Sequence, residues 1–90
     1  MHVIFNHGKE SGPHGRKIEA LMAVARESGH SVQSLDYTDL PDAPEARVAR
    51  LIETLDTLDE APWLVGSSMG AYVALAAARE RATRGLFLLA

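Results

Sequence analysis

The sequence predicts an α/β fold of three layers (α/β/α), in which a parallel sheet lies between helices and the elements follow the order βαβαβαβ. Short β-branched or aromatic runs alternate with segments of helical periodicity. The connections between them are brief, with no internal repeat, linker or low-complexity stretch. Such alternation gives a parallel sheet with right-handed crossovers and helices on both faces. Ninety residues with 47% hydrophobic content suit one domain, spanning 1–90.

Val3-Ile4-Phe5 is continuously apolar, as a strand buried on both faces must be, and it stops at Asn6-His7-Gly8. Gly8 to Gly15 holds three glycines and Pro13, loop chemistry that leads into a helix with Pro13 near its first turn. Ile18, Leu21, Met22 and Ala25 recur at helical spacing, and Gly29 stands where a C′ glycine belongs, so this helix ends near Ser28. Ser31 to Tyr37 alternates weakly and reads as an edge strand.

Asp42 with Glu45 three residues later, and Pro44 between them, forms a variant capping box. It opens a helix whose stripe is Val48, Leu51, Ile52, Leu55 and Leu58. Trp63-Leu64-Val65 is a buried strand running into Gly66-Ser67-Ser68-Met69-Gly70. Ala71 to Arg81 is apolar nearly all round, with five alanines, and is expected to be a helix packed on several sides. Gly85 to Ala90 supplies the last strand.

The expected strand order is 2-1-3-4. It puts the polar strand at an edge, sets the first and third strands side by side, and creates a topological switch point at their C-terminal ends, where open α/β sheets bind ligands. The glycine loop and the Gly-Ser-Ser-Met-Gly turn both fall there.

Composition removes several function classes. Without cysteine there is no disulfide framework, thiolate zinc site or cysteine nucleophile. Four histidines without paired helical spacing argue against a metal site, and no cofactor is expected. A net charge of −3 with nine scattered basic residues gives no phosphate-neutralising stripe, so nucleic acid is not an expected partner. No apolar run approaches the ~20 residues of a spanning helix. Met1 to Phe5 lacks a basic n-region and a cleavage site, so the chain reads as cytoplasmic, with no membrane partner.

Gly66 to Gly70 matches G-x-S-x-G between a buried strand and a helix, the context of a nucleophile elbow. A hydroxyl nucleophile must stand clear of the sheet, so its backbone is strained, and the flanking glycines remove side chains that would collide with strand and helix. Ser68 then projects at a helix N-terminus, where unpaired N–H groups and the macrodipole favour developing negative charge. The Met69 N–H is one candidate oxyanion donor, and the Lys9 N–H, in the loop after the first strand, is the second. The pentapeptide alone also occurs as a small-residue turn. Its strand–helix setting and the His7-Gly8-Lys9 loop on the neighbouring strand are what point to chemistry.

From His7-Gly8-Lys9-Glu10-Ser11-Gly12-Pro13 to Leu86-Phe87-Leu88-Leu89 the chain resembles the N-terminal half of the α/β-hydrolase core. Within that superfamily it is similar to small, lidless bacterial hydrolases with an H-G-x-x-S-G/S-P loop and a G-S-S-[LM]-G elbow. The resemblance makes the four strands the third to sixth of the family's sheet. It implies Ser68 as nucleophile, Met69 and Lys9 as oxyanion donors, and acyl transfer from an ester or related small acyl substrate to water. The family's acid and histidine follow later strands, so the triad is incomplete within these residues.

In the family pattern His7 turns inward to brace its loop, and His14 reads as a solvated helix-start residue. Asp36 and Asp39 end the second strand on the same edge, but a carboxylate is a poor substitute for imidazole as a base at neutral pH. Trp63 reads as packing. Tyr72 either lines the pocket or occupies the core, and Arg79, Glu80, Arg81 and Arg84 read as a solvated face. Lys9 either faces solvent or attracts an acidic substrate. Leu86 to Ala90 is too apolar for an open edge. Either more chain exists, or the strand pairs with another subunit as a homo-oligomer.

A different class, a non-catalytic or nucleotide-binding module of flavodoxin or Rossmann type, draws on Gly8, Gly12 and Gly15 and on Asp36 at a ribose-binding position. Its spacing is G-x-x-x-G-x-x-G, interrupted by Pro13, and it leaves the serine elbow unexplained. A half-fold scaffold that binds a partner is a third option.

Overall fold

The computed structural model describes residues 1–89. The elements are β1 (His2–Asn6), α1 (Arg16–Glu27), β2 (Ser31–Leu35), α2 (Pro44–Leu55), β3 (Trp63–Ser67), α3 (Met69–Ala78) and β4 (Gly85–Leu89). The sheet order is β2-β1-β3-β4, with every pair parallel, as the element pattern predicts. In register, Asn6 lies beside Leu35 and Gly66, and Gly66 beside Leu88. The C-terminal ends of β1 and β3 therefore form one edge.

Alternation along β1 divides the core. Val3 and Phe5 pack with Ile18 and Met22 of α1. Ile4 belongs to the opposite layer, with Leu35, Tyr37, Leu51, Leu55, Leu64, Val73, Ala74 and Ala77. Ile4, Leu51 and Leu64 have no exposed surface, and burying each such side chain stabilises the fold by about 1.5–3 kcal/mol. Both faces of β1 are thus occupied, which explains why its sequence shows no polar alternation.

Local rules account for the ends of α1. Gly29 adopts φ +88°, the His30 N–H bonds the Ala25 carbonyl at 3.0 Å, and the Gly29 N–H bonds Arg26 at 3.0 Å. This is a Schellman closure, with the glycine supplying the left-handed residue. At the other end Gly15 is the N-cap. Pro13 lies just before the helix, near its first turn as expected, and its carbonyl accepts a hydrogen bond from the Ser34 hydroxyl.

Three expectations are corrected. β2 stops at Leu35, and Tyr37 leaves the sheet to become buried, because the chain turns inward under α2. The Asp42–Glu45 capping box does not form: Ala43 is the N-cap, without a side-chain cap bond, and Asp42 pairs with Lys9 at 3.0 Å. α3 runs over Met69–Ala78, so it starts earlier and ends sooner than the apolar stretch suggested. It packs on α2 and on β1, β3 and β4, while Tyr72 and Leu75 remain exposed.

The two layers are unequal. α2 and α3 together cover one face, whereas α1 alone serves the other. On that second face Phe87 of β4 is 54% exposed, and an apolar groove runs between α1 and the sheet along Leu21, Val24, Trp63, Val65 and Phe87. Ala90, the last residue of the predicted strand, lies outside the described residues.

Candidate active site

Ser68 joins the end of β3 to the start of α3 with φ 57° and ψ −121°. Among the described residues it alone combines a side chain with a positive φ. Such a conformation costs about 1–3 kcal/mol and persists only where surrounding structure enforces it. Here the enforcement is visible: the Ser68 N–H bonds the Leu89 carbonyl of β4 at 3.0 Å, and the Ser68 carbonyl accepts the Ala71 N–H at 2.9 Å. A serine at an N-cap ordinarily bonds the second or third helical N–H. This one makes no side-chain cap bond, so its exposed hydroxyl is uncommitted. Met69 is the first helical residue, and its N–H has no intrahelical acceptor.

The flanking glycines are explained by close approach. A Cβ at Gly66 would lie 2.3 Å from the Gly70 carbonyl oxygen, and one at Gly70 would lie 1.9 Å from the Asn6 carbonyl oxygen. All of these obstacles are backbone. The first turn of α3 thus rests directly on the end of β1, bringing the loop after β1 against the elbow. A Cβ at Gly8 would stand 3.2 Å from the Ser68 Cβ. Between them opens a cleft of about 430 Å³ lined by Gly8, Lys9, Glu10, Ser11, Ser67 and Ser68.

Beneath this loop lies a buried polar network. The Asn6 amide donates to the Val65 carbonyl at 3.0 Å and accepts from the Tyr37 hydroxyl, tying β1 to β3 and to the loop after β2. His7 has no exposed surface. Its Nδ1 lies 2.7 Å from the Gly8 carbonyl oxygen, and its Nε2 accepts the Tyr37 N–H at 3.0 Å. Those partners fix the tautomer, with the proton on Nδ1, and occupy both ring nitrogens. Arg47 of α2, also buried, donates to the His7 carbonyl at 3.0 Å and sits 5.2 Å from the Tyr37 ring centroid. Burial pushes the Tyr37 hydroxyl far above its ordinary range, against the opposing pull of Arg47.

Sequence reasoning singled out further residues, and the structure disperses them. His14 is exposed and meets Glu19 at 3.0 Å. The Asp36 carboxylate closes a local turn on the Thr38 hydroxyl (2.6 Å) and N–H (2.8 Å), bonds that hold it below the usual carboxylate range. Asp39 forms a two-pronged pair with Arg50 at 2.7 and 3.1 Å, which lowers it likewise. Neither carboxylate lines the cleft beside Ser68.

Lys9 is exposed and paired with Asp42. Tyr72 is in neither the cleft nor the core; it borders a separate cleft of about 610 Å³ between α2 and α3. Trp63 packs over Gly85, where a Cβ would meet its ring at 2.3 Å. No histidine lines the Ser68 cleft. Among the described residues no group of three or more His, Asp or Glu could hold a metal ion, and no helix is long and apolar enough to cross a membrane.

Asn6, Tyr37 and Arg47 were the residues that sequence reasoning missed. One signal was available: Arg47, Leu51 and Leu55 fall at successive i, i+4 positions, so a charge stands on the buried face of α2.

No family model matches the sequence, and neither does any curated protein. Solved structures do. A protein of the alpha/beta hydrolase superfamily from Xanthomonas campestris pv. campestris superposes with a TM-score of 0.88 at 36% identity, over 97% of this chain and 56% of that one. Alpha/beta hydrolase domain-containing protein 10 from mouse gives a TM-score of 0.78 at 28% identity, over 97% of this chain and 38% of its own. An extracellular alpha/beta-hydrolase from a Paenibacillus species, at 14% identity, shares the fold with a TM-score of 0.76 over 98% of this chain and 39% of its own. The chain therefore spans little more than half the length of the Xanthomonas protein.

Proposed function

With the chain identified as an α/β-hydrolase superfamily member that comprises the N-terminal part of the core, we propose that it carries the nucleophile and oxyanion hole of a serine hydrolase. The substrate class in this reading is an ester or related small acyl compound. Ser68 Oγ attacks the acyl carbon, the leaving alcohol departs with a proton, and water then cleaves the acyl-serine. The N–H groups of Met69 and Lys9 receive the oxyanion at the start of α3.

The observation that carries this reading is the backbone of Ser68: a non-glycine residue held at φ 57°, hydroxyl free, between two glycines packed against backbone. Strain enforced at that cost is expected where a side chain must be presented. The four histidines serve no such end here. His7 has both nitrogens engaged, His14 meets Glu19, His2 meets Ser31 and Gln33, and His30 borders the apolar groove. In this reading the activating histidine and its acid come from outside the described residues, as does the surface that covers β4: further chain or a second copy. The domain is the N-terminal half of a core, acting in the cytoplasm.

Intact-mass measurement with a fluorophosphonate probe tests the proposal. The expected result is one adduct per chain, absent in Ser68→Ala. An adduct that persists in Ser68→Ala, or none on protein that includes the complete core, would refute it.

A further inference from the structure

Arg47 is a buried cation with 7% exposure, and among the described residues no carboxylate pairs with it. Taking a guanidinium out of water is costly unless its donors are used. One nitrogen turns instead to backbone: Nη1 reaches the His7 carbonyl oxygen at 3.0 Å and the Gly8 carbonyl oxygen at 3.5 Å, while the guanidinium lies by the Tyr37 ring, a favourable setting for a cation. The Gly8 carbonyl is also held by His7 Nδ1.

The consequence follows from peptide planarity. In a trans peptide the carbonyl of one residue and the N–H of the next point in opposite directions. Fixing the His7 and Gly8 carbonyls on the Arg47 side turns the Gly8 and Lys9 N–H groups the other way. Lys9 stands between two clefts, one bordered by Arg47, Tyr37 and Asp42, the other by Gly8, Ser11 and Ser68. Arg47 borders the first, and carbonyls that accept from it leave the N–H groups opposite them for the side of the second. We infer that Arg47 is a positioning residue: from α2 it holds two consecutive carbonyls of the loop after β1, and so aims the backbone donors of Gly8 and Lys9 at the Ser68 cleft. The functional half of this inference rests on the serine-hydrolase reading above. The geometric half does not.

The test compares Arg47→Met, which keeps the volume and loses the donors, with Arg47→Lys, which restores a single point-charge donor. Leu51→Ala, on the same helix face, serves as a control for simple loss of packing. Two readouts are taken on folded protein: the fluorophosphonate labelling constants of Ser68, and the backbone amide resonances of Gly8 and Lys9 by NMR.

Misaimed donors should lower the maximal labelling rate of Arg47→Met by about 100-fold, with little change in probe affinity. Arg47→Lys should recover part of the loss, and the Gly8 and Lys9 resonances should move. Leu51→Ala should reduce stability and leave the labelling rate of folded molecules unchanged. A folded Arg47→Met that labels at the wild-type rate overturns the inference, and so does a rate that Leu51→Ala lowers equally. If wild-type protein that includes the complete core does not label, the hydrolase reading fails. The resonances then decide the geometric half: displacement of Gly8 and Lys9 in Arg47→Met sustains it, and unmoved resonances overturn it.

Discussion

The C-terminal edge of β1 and β3 and the outer margin at β4 solve opposite problems. At the first, polar groups are buried and each finds a partner: Asn6 with Val65 and Tyr37, His7 with Gly8 and Tyr37, Arg47 with His7. At the second, apolar groups are exposed: Phe87 at 54% and Leu88 at 42%. Buried polar groups that find partners make a rigid frame, since an unpartnered one costs its desolvation penalty. An exposed apolar strand specifies nothing until something covers it. The molecule has invested its specificity at the edge where Ser68 stands.

The sharpest way to break the first region is through its closest contact. Gly70→Ala places a methyl group 1.9 Å from the Asn6 carbonyl oxygen. Backbone cannot yield there without parting α3 from β1. We expect a loss of about 3 kcal/mol or more, read by denaturant unfolding, and a chain that misfolds outright would agree with it. A loss under about 1 kcal/mol would show that the edge is softer than its geometry implies.

Tyr37→Phe is expected to act more mildly, leaving the Asn6 carbonyl oxygen of the side-chain amide without its donor at a cost of about 1–2 kcal/mol near neutral pH. The same variant carries a pH signature. Because the folded Tyr37 hydroxyl holds its proton more tightly than the unfolded one, its contribution is fully present below the ordinary tyrosine value. It is lost as pH rises above about 10, when the unfolded chain releases the proton first. Stability that falls between about pH 9 and 11 in the wild type should fall less in Tyr37→Phe. Identical slopes would contradict the burial argument.

The β4 margin should respond in association, not in folding. If the strand recruits a second copy, the wild-type chain self-associates in sedimentation, whereas Phe87→Lys, a charge on the open margin, is monomeric. Its own folding stability should change by no more than about 0.5 kcal/mol. A monomeric wild type would remove the second copy as the cover of this strand.

The same contrast governs what could be read from residues alone. Element order and sheet topology followed from local patterns: apolar runs, the stripe of α2 and Gly29. The strained turn was legible because its pattern is confined to five consecutive residues, Gly66 to Gly70. The network beneath it was not, because Asn6 of β1, Tyr37 of the loop after β2 and Arg47 of α2 meet only after folding. Tyr37 was misplaced for the same reason: its alternation with Leu35 suits a strand, and only the turn under α2 draws it inside. Asp42 and Glu45 satisfy a capping pattern, yet the helix takes Ala43 as its N-cap and Asp42 meets Lys9 instead. Pattern reached the nucleophile candidate, then, but not the frame that supports it.

The central claim is that Ser68 is held in strain for the sake of its hydroxyl. Equilibrium unfolding of Ser68→Gly, alongside fluorophosphonate labelling, tests it most directly. Glycine adopts φ 57° without steric penalty but gives the unfolded chain more freedom. With about 1–3 kcal/mol of strain released, Ser68→Gly should be more stable than wild type by about 1 kcal/mol and unlabelled by the probe. A Ser68→Gly protein less stable than the wild type would contradict it, showing that the serine is there to hold the turn.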